Sequence, residues 1–215
     1  MKTIYIATSN PGKLRDFAGA ASLFGVAVAP LPGFSELLPV AEDGETFADN
    51  AHKKAEFYSR HAPGALVLAD DSGLEVCALN RAPGVRSARY AADDGALNLS
   101  SGPSQNNPDA ANNARLLREL ESIPDDKRRA LFVCALAAAR DGCVLKIFEA
   151  EVRGEILRAP RGQNGFGYDP LFFVPELRKT TAEMSAQEKA AISHRGRAFQ
   201  KFLEWYRSEE LVPGP

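Results

Sequence analysis

A mixed α/β fold is predicted by three features of this 215-residue chain. A short apolar run, Thr3 to Ala7, passes through a tight loop into an apolar-periodic stretch from Leu14 to Phe24, which reads as strand, loop, helix. Ala130 to Ala139 is continuously apolar, suited to a central strand. Arg140-Asp141-Gly142 then turns it into the alternating stretch Val144 to Gly154, a hairpin that makes the sheet partly antiparallel. Between these, Leu66 to Ala69 reads as a buried strand that ends in two adjacent acids, Asp70 and Asp71. Two carboxylates are costly to bury without cations or donors, so they are expected at a strand tip, where α/β folds place their chemistry. A turn with two solvent-facing acids is the plain alternative.

The length suits one substantial domain, 1–215. A formal net charge of -2 declares no preference for nucleic acid or membrane. Cys77, Cys134 and Cys143 suit reduced thiols better than a disulfide framework or a zinc cluster. No stretch approaches a membrane span, and the N-terminal apolar run is too short for a signal peptide, so a soluble cytoplasmic protein is expected.

In chain order, Thr8-Ser9-Asn10-Pro11-Gly12-Lys13 precedes the first helix. The helix start offers backbone N–H groups to an anion, and Lys13 adds a charge beside them. An ordinary capped helix with a surface lysine fits equally, and the spacing is not that of a Walker loop. Val26 to Val28 is a candidate strand, followed by a proline-punctuated connection to Val40. Thr46 and Asp49 form a capping box for a helix running to about His61. Phe47, Ala51, Ala55 and Tyr58 make its apolar stripe, while Asn50 and Lys54, four apart, share another face. Glu42 lies just outside the helix start, where an acid also favours the dipole. His52 and His61 read as surface residues.

Arg81, Arg86, Arg89 and Tyr90 either cover phosphate or acidic groups or serve packing and salt bridges. Residues 93–113 are polar; 98–107 reads as an exposed insertion, with a helix starting near Pro108 or Asp109. In Gly165-Phe166-Gly167-Tyr168-Asp169, glycines around two aromatics mark a close backbone approach. Either the aromatics stack on a base or they pin the turn into a core. Ser185 to Glu188 caps another helix through Lys189. Ser193-His194-Arg195-Gly196 gathers polar and cationic groups, with Gly196 a candidate break. Phe199, Phe202, Leu203 and Tyr206 give the terminal helix an apolar face, and 211–215 reads as a frayed tail.

The acids Glu42, Asp70 and Asp71 and the cations Lys13, Lys54, Lys189 and Arg195 fall near the ends of elements. Such a set suits Mg²⁺ with a polyphosphate. No Ser-His-Asp order, G-x-S-x-G elbow or dinucleotide fingerprint is present.

Taken as an ordered set, Thr8 to Lys13, Glu42 to Asn50, Ala69 to Leu74, Ala82 to Val85 with Ser87 to Tyr90, Gly165 to Pro170 and Ser193 to Gly196 resemble the inosine triphosphate pyrophosphatase family. The resemblance spans roughly Ile4 to Phe202. It implies an elongated two-lobed α/β fold with a long central mixed sheet and a cleft between lobes, acting as a homodimer. It implies Mg²⁺-dependent hydrolysis of ITP, dITP and XTP to monophosphate and pyrophosphate. Matched by position, Asp71 is the catalytic base and a metal ligand, Glu42 the other metal-site acid, and Asp70 a support. Thr8, Ser9, Asn10, Pro11, Gly12 and Lys13 form the phosphate loop. Lys54 and Ser72 are further substrate contacts, Phe166, Gly167, Tyr168 and Asp169 the base wall, and Lys189, His194 and Arg195 the distal contacts. Ser9 stands where glycine is frequent in the family, and 98–107 is longer than usual. Other classes weighed are a pyrophosphatase for pyrimidine or ordinary nucleotides, a nucleotide sensor without turnover, and a nucleic-acid binder, the last opposed by the near-neutral charge.

Overall fold

A computed structural model describes residues 3–92 and 108–210. The expected insertion at 98–107 and tail at 211–215 lie outside the described residues. Seven strands form one sheet: β1 (Ile4–Ile6), β2 (Val28–Pro30), β3 (Leu66–Val76), β4 (Arg129–Arg140), β5 (Cys143–Ile156), β6 (Phe172–Val174) and β7 (Lys179–Thr180). Their order is β2-β1-β3-β4-β5-β6-β7. β1 pairs in parallel with both β2 and β3, and β6 pairs antiparallel with β5 and β7, so the sheet is mixed, as predicted. The long apolar run is indeed central. The β4–β5 link is a two-residue turn in which Asp141 and Gly142 both take positive φ, 52° and 80°, the geometry that matches strand twist in tight hairpins. β5 runs past the alternating stretch to include Glu155 and Ile156.

Among the described residues, five α-helices accompany the sheet: α1 (Pro11–Leu23), α2 (Phe47–Ser59), α3 (Pro108–Glu119), α4 (Ala186–Ile192) and α5 (His194–Glu210). The chain divides into two units. The first comprises the described residues of Met1–Asp71, Cys134–Glu151 and Gln187–Pro215; the second those of Ser72–Val133 and Val152–Ala186. In the first unit, Ile4, Ile6, Leu66, Leu68, Leu136 and Phe148 meet Phe17 of α1 and Phe199 and Phe202 of α5. The Phe17 and Phe199 rings lie 6.2 Å apart, within the range of aromatic pairing. Burial of each such ring stabilises by about 1.5–3 kcal/mol. In the second unit, Phe132 and Phe172 pack at 4.2 Å. Buried Arg128 donates to the carbonyls of Leu120, Ile156 and Leu157, tying the end of the α3 segment to the end of β5.

Two local expectations are corrected. The acids do not end their strand, because β3 continues through Asp70 and Asp71 to Val76. What ends there is β1, whose last partner on β3 is Leu68, so the acids begin where the parallel neighbour stops. The helix break near the C-terminus falls at Ser193, between α4 and α5, and Gly196 lies inside α5. Gly196 serves close approach instead: a Cβ there would stand 1.9 Å from the Ala190 carbonyl oxygen.

Candidate active site

Every group of the acid and cation cluster belongs to the first unit. The loop after β1 closes on α1 through Asn10. Its Oδ1 accepts from the N–H groups of Gly12 and Lys13 at 2.8 and 3.1 Å, and its own N–H donates to Thr8 Oγ1. Pro11 occupies the first helical turn, where a missing N–H costs nothing. The backbone donors expected to be open to an anion are thus largely used by Asn10. Lys13 does not lie idle on the surface; its ammonium stands 3.1 Å from Asp70 Oδ2. Ser9 is exposed, clear of these contacts.

Strand alternation separates the two acids, since successive side chains of β3 point to opposite faces. Asp70 faces α1 and α5: Lys13 and Arg195 Nε reach its Oδ2 at 3.1 and 3.4 Å. Asp71 faces α2: Asn50 Nδ2 donates to it at 3.0 Å and Lys54 Nζ at 3.1 Å. The capping box on Thr46 fixes the start of α2, and the four-residue spacing of Asn50 and Lys54 aims both at one carboxylate. Asn50 Oδ1 also accepts from Gly44 N at 2.8 Å, which fastens the loop carrying Glu42. Lys54 meets Glu42 at 3.3 Å, so a single ammonium joins Glu42 to Asp71.

The electrostatics follow from burial. Asp70 and Asp71 are only 3% and 5% exposed. Burial pushes the Asp71 carboxyl above its usual range, against the pull of Lys54, Lys13 and the Asn50 hydrogen bond, with Glu42 pushing the same way as burial. Burial also draws the Lys54 ammonium down, but the charges of Asp71, Asp70 and Glu42 outweigh it and hold its pKa above the ordinary value. His194 is enclosed; burial, then the neighbouring Arg195 and Lys189, hold it well below its usual range, so the ring is neutral. The sequence reading placed His194 among cations without seeing this consequence. Cys134 on β4 is buried near the same charges, and desolvation pushes its thiol far up, away from thiolate chemistry.

Asp16, one turn beyond Lys13 on α1, is the functional candidate that sequence reasoning missed. It accepts from Arg195 at 3.0 Å and pairs with Lys189 at 3.4 Å. Its three-residue spacing from Lys13 was the available signal, because such residues share a helix face. Asn50 was placed on the Lys54 face but not assigned to the site.

The second unit holds Ser72 and the glycine-rich loop. Gly165 and Gly167 take φ of 80° and 60°. Asp169 Oδ2 accepts from Phe166 N at 2.8 Å and occupies the space a Cβ on Gly165 would need, 2.0 Å away. Its Oδ1 accepts from Thr181 Oγ1 at 2.8 Å. Tyr168 is buried and its hydroxyl donates to the Ser87 carbonyl at 2.9 Å. Of the two readings of this loop, pinning into a core describes Tyr168, while Phe166 is left half-buried.

Four cations, Lys13, Lys54, Lys189 and Arg195, are matched by four carboxylates, Asp16, Glu42, Asp70 and Asp71. Among these eight described groups the charges therefore balance, with no excess of cation over carboxylate. Among the described residues no three His, Cys, Asp or Glu side chains gather as a ready-made metal cage. Two hard oxygen donors that already converge on one cation, Glu42 and Asp71, do fit Mg²⁺, which takes one or two carboxylates and completes its shell with phosphate oxygens and water.

A family model described as the Ham1 family matches residues 4–205. The chain belongs to the Ham1 family. Among curated relatives, the dITP/XTP pyrophosphatase of Acidobacterium capsulatum is 51% identical over 201 residues, covering 94% of this chain and 96% of that protein. The dITP/XTP pyrophosphatase of Geobacillus kaustophilus is 48% identical, covering 100% and 98%. The Ham1 protein of Staphylococcus aureus superposes with a TM-score of 0.77 at 38% identity, over 97% of this chain and 100% of that one. The resemblance read from the sequence motifs and the mixed α/β class are thereby borne out. No helix among the described residues is long and apolar enough to cross a membrane.

Proposed function

We propose that this chain hydrolyses the deaminated purine nucleotides ITP, dITP and XTP to the monophosphate and pyrophosphate, with Mg²⁺ as cofactor. The observation that carries the reading is the convergence of Asp71 and Glu42 on one cation, beside Lys13 and Arg195. It is supported by relatives of nearly the same length that are named dITP/XTP pyrophosphatases.

Asp71 is the base. Its raised proton affinity suits proton abstraction better than that of an ordinary surface aspartate, and Asn50 and Lys54 fix its two oxygens toward a water aimed at the α-phosphorus. Glu42 and Asp71 would hold Mg²⁺, which when bound supplies Lewis-acid neutralisation of phosphate-oxygen charge. Lys13 and the α1 dipole draw the departing pyrophosphate, Lys13 exchanging Asp70 for a phosphate oxygen as it does so. Asp70 keeps Lys13 and Arg195 in register until substrate arrives. Thr8 to Gly12 shape the loop that presents Lys13.

Specificity rests on the purine 6-position. Arg195, with neutral His194 beside it, donates to the oxygen that hypoxanthine and xanthine carry there. An adenine amino group would leave such a donor unsatisfied, at a cost of about 1–3 kcal/mol. In the second unit, Phe166 is the base contact and Ser72 a further substrate contact, while Tyr168 and Asp169 hold the Gly165–Gly167 turn in shape from within. The remaining parts of the reading are a single pyrophosphatase domain, a homodimer, and a cytoplasmic setting where the nucleotide pool lies. The test is incubation of purified protein and Mg²⁺ with a nucleotide panel, separating mono- and diphosphate products. IMP with pyrophosphate from ITP is expected; IDP with orthophosphate, or equal rates on ATP and ITP, would overturn the reading.

A further inference from the structure

The glycine-rich loop of the second unit is held from outside by α3. Gly167 lacks a side chain, yet both of its backbone polar groups are taken. Its N–H donates to Asp109 Oδ2 at 2.7 Å, and its carbonyl accepts from Asn113 Nδ2 at 3.0 Å. Asp109 and Asn113 are four residues apart, on one face of α3. The intervening face is fixed as well. Asn112 accepts from Ala91 N at 2.7 Å and donates to the carbonyls of Ser87 and Ala88 at 3.3 and 3.2 Å. Ser87 is also the residue whose carbonyl receives the Tyr168 hydroxyl. The helix and the loop therefore share one anchor and add two direct bonds.

A loop with two glycines at positive φ has wide conformational freedom when untethered. Ordering it only when ligand arrives would cost affinity, and ordering it beforehand removes that cost. Of its larger side chains, Tyr168 and Asp169 are buried and Phe166 alone stays partly accessible. The bonds on Gly167 thus hold the two peptide groups that follow Phe166, and with them the backbone from which its ring projects.

We propose that Asp109 and Asn113 are positioning residues for base recognition: by clamping the backbone N–H and the carbonyl of Gly167 they set the presentation of Phe166 and hence the affinity for the purine. The proposal rests on the reading of Phe166 to Asp169 as the base wall. Both residues belong to the second unit and the acid and cation cluster to the first, so the expected effect is on the nucleoside and not on the phosphates.

The test compares Asp109→Ala, Asn113→Ala and the conservative Asp109→Asn in steady-state hydrolysis of ITP, with inorganic pyrophosphate as a product inhibitor that lacks a base. Loss of one such hydrogen bond raises KM for ITP by about three- to tenfold, with kcat changing less and the inhibition constant of pyrophosphate unchanged. Asp109→Asn keeps an accepting oxygen and retains most of the wild-type KM. A purely structural role, through the charge of Asp109 in the first turn of α3, would make Asp109→Asn as damaging as Asp109→Ala. The proposal is overturned by that result, by an unchanged KM in both alanine variants, or by an equal rise for pyrophosphate. If Asp109→Ala does not fold, Asn113→Ala and Asp109→Asn decide the question. The underlying reading is judged on the wild type alone: failure to turn over ITP there sinks the base-wall assignment, whereas wild-type turnover with unaffected variants sinks only the clamp.

Discussion

Asp16→Asn isolates the part of the site that the sequence motifs did not announce. Asp16 accepts from Arg195 at 3.0 Å and from Lys189 at 3.4 Å, and its side chain is 13% exposed while theirs are 6% and 8%. Replacing the acid with its isostere leaves two buried cations short of one carboxylate. Removing one partner from a buried pair costs about 3–5 kcal/mol. Arg195 keeps Asp70 at 3.4 Å, which places the expected loss near about 2–4 kcal/mol, toward the lower end of that range. For a chain of this length the melting temperature should fall by roughly 4–16 °C. Differential scanning fluorimetry at low and high salt reads the effect. The buried pair should resist screening, so the deficit should persist at 0.5 M salt, where surface pairs fade. A melting temperature within 2 °C of wild type would refute the claim that Asp16 is the carboxylate holding Arg195 and Lys189. An Arg195 left mobile should also weaken discrimination between ITP and ATP.

Three further outcomes follow from the same contacts. Asn50→Ala removes the bonds to Asp71 and to Gly44 N; stability should drop by about 1–3 kcal/mol in denaturant titration, and kcat should fall more than KM rises. Gly196→Ala places a methyl 1.9 Å from the Ala190 carbonyl oxygen, so overpacking of about 1–3 kcal/mol or more is expected, and a wild-type melting temperature would contradict the close helix approach. His194 is surrounded by Arg195, Lys189 and Lys13, opposed only in part by Asp70, and is held neutral when folded. Its unfolded pKa is about 6.5, so its contribution to stability is complete above that pH. It is lost as pH falls toward the depressed folded value, by up to about 1.4 kcal/mol per pH unit. His194→Asn should flatten the stability profile below pH 6.5, and an unaltered slope would contradict a buried neutral ring.

Where local chemistry decides structure, the sequence was readable. The Thr46–Asp49 capping box, the Asp141-Gly142 turn and the apolar run of β4 each carry their instructions within a few residues, and α2 and β4 lie where expected to within about two residues at their ends, whereas α1 starts at Pro11, inside the expected loop and ahead of the expected Leu14. The acids of β3 were misplaced for a physical reason: a strand can run through two carboxylates when cations from other elements neutralise them. Those cations, Lys13, Lys54 and Arg195, come from segments up to 125 residues away. No local pattern reports that. The same holds for Asp16, whose partners lie on α4 and α5, and for His194, whose neutrality is a product of enclosure. The glycine-rich loop left two readings open because a sequence cannot separate a ring that packs from a ring that is presented. The structure divides them, giving Tyr168 to the core and leaving Phe166 half-buried.

The central claim is that Asp71, held by Asn50 and Lys54 on the α2 side of β3, is the base, and that Asp70 on the other face is a support. Turnover of ITP with Mg²⁺ by Asp71→Asn, alongside Asp70→Asn, tests it most directly. Loss of a positioned general base should cut kcat by about 10²–10⁴-fold in Asp71→Asn, with cooperative unfolding retained, while Asp70→Asn acts mainly through KM as Lys13 and Arg195 lose the negative charge they share. Wild-type kcat in Asp71→Asn, or a larger kcat loss in Asp70→Asn, would contradict the assignment.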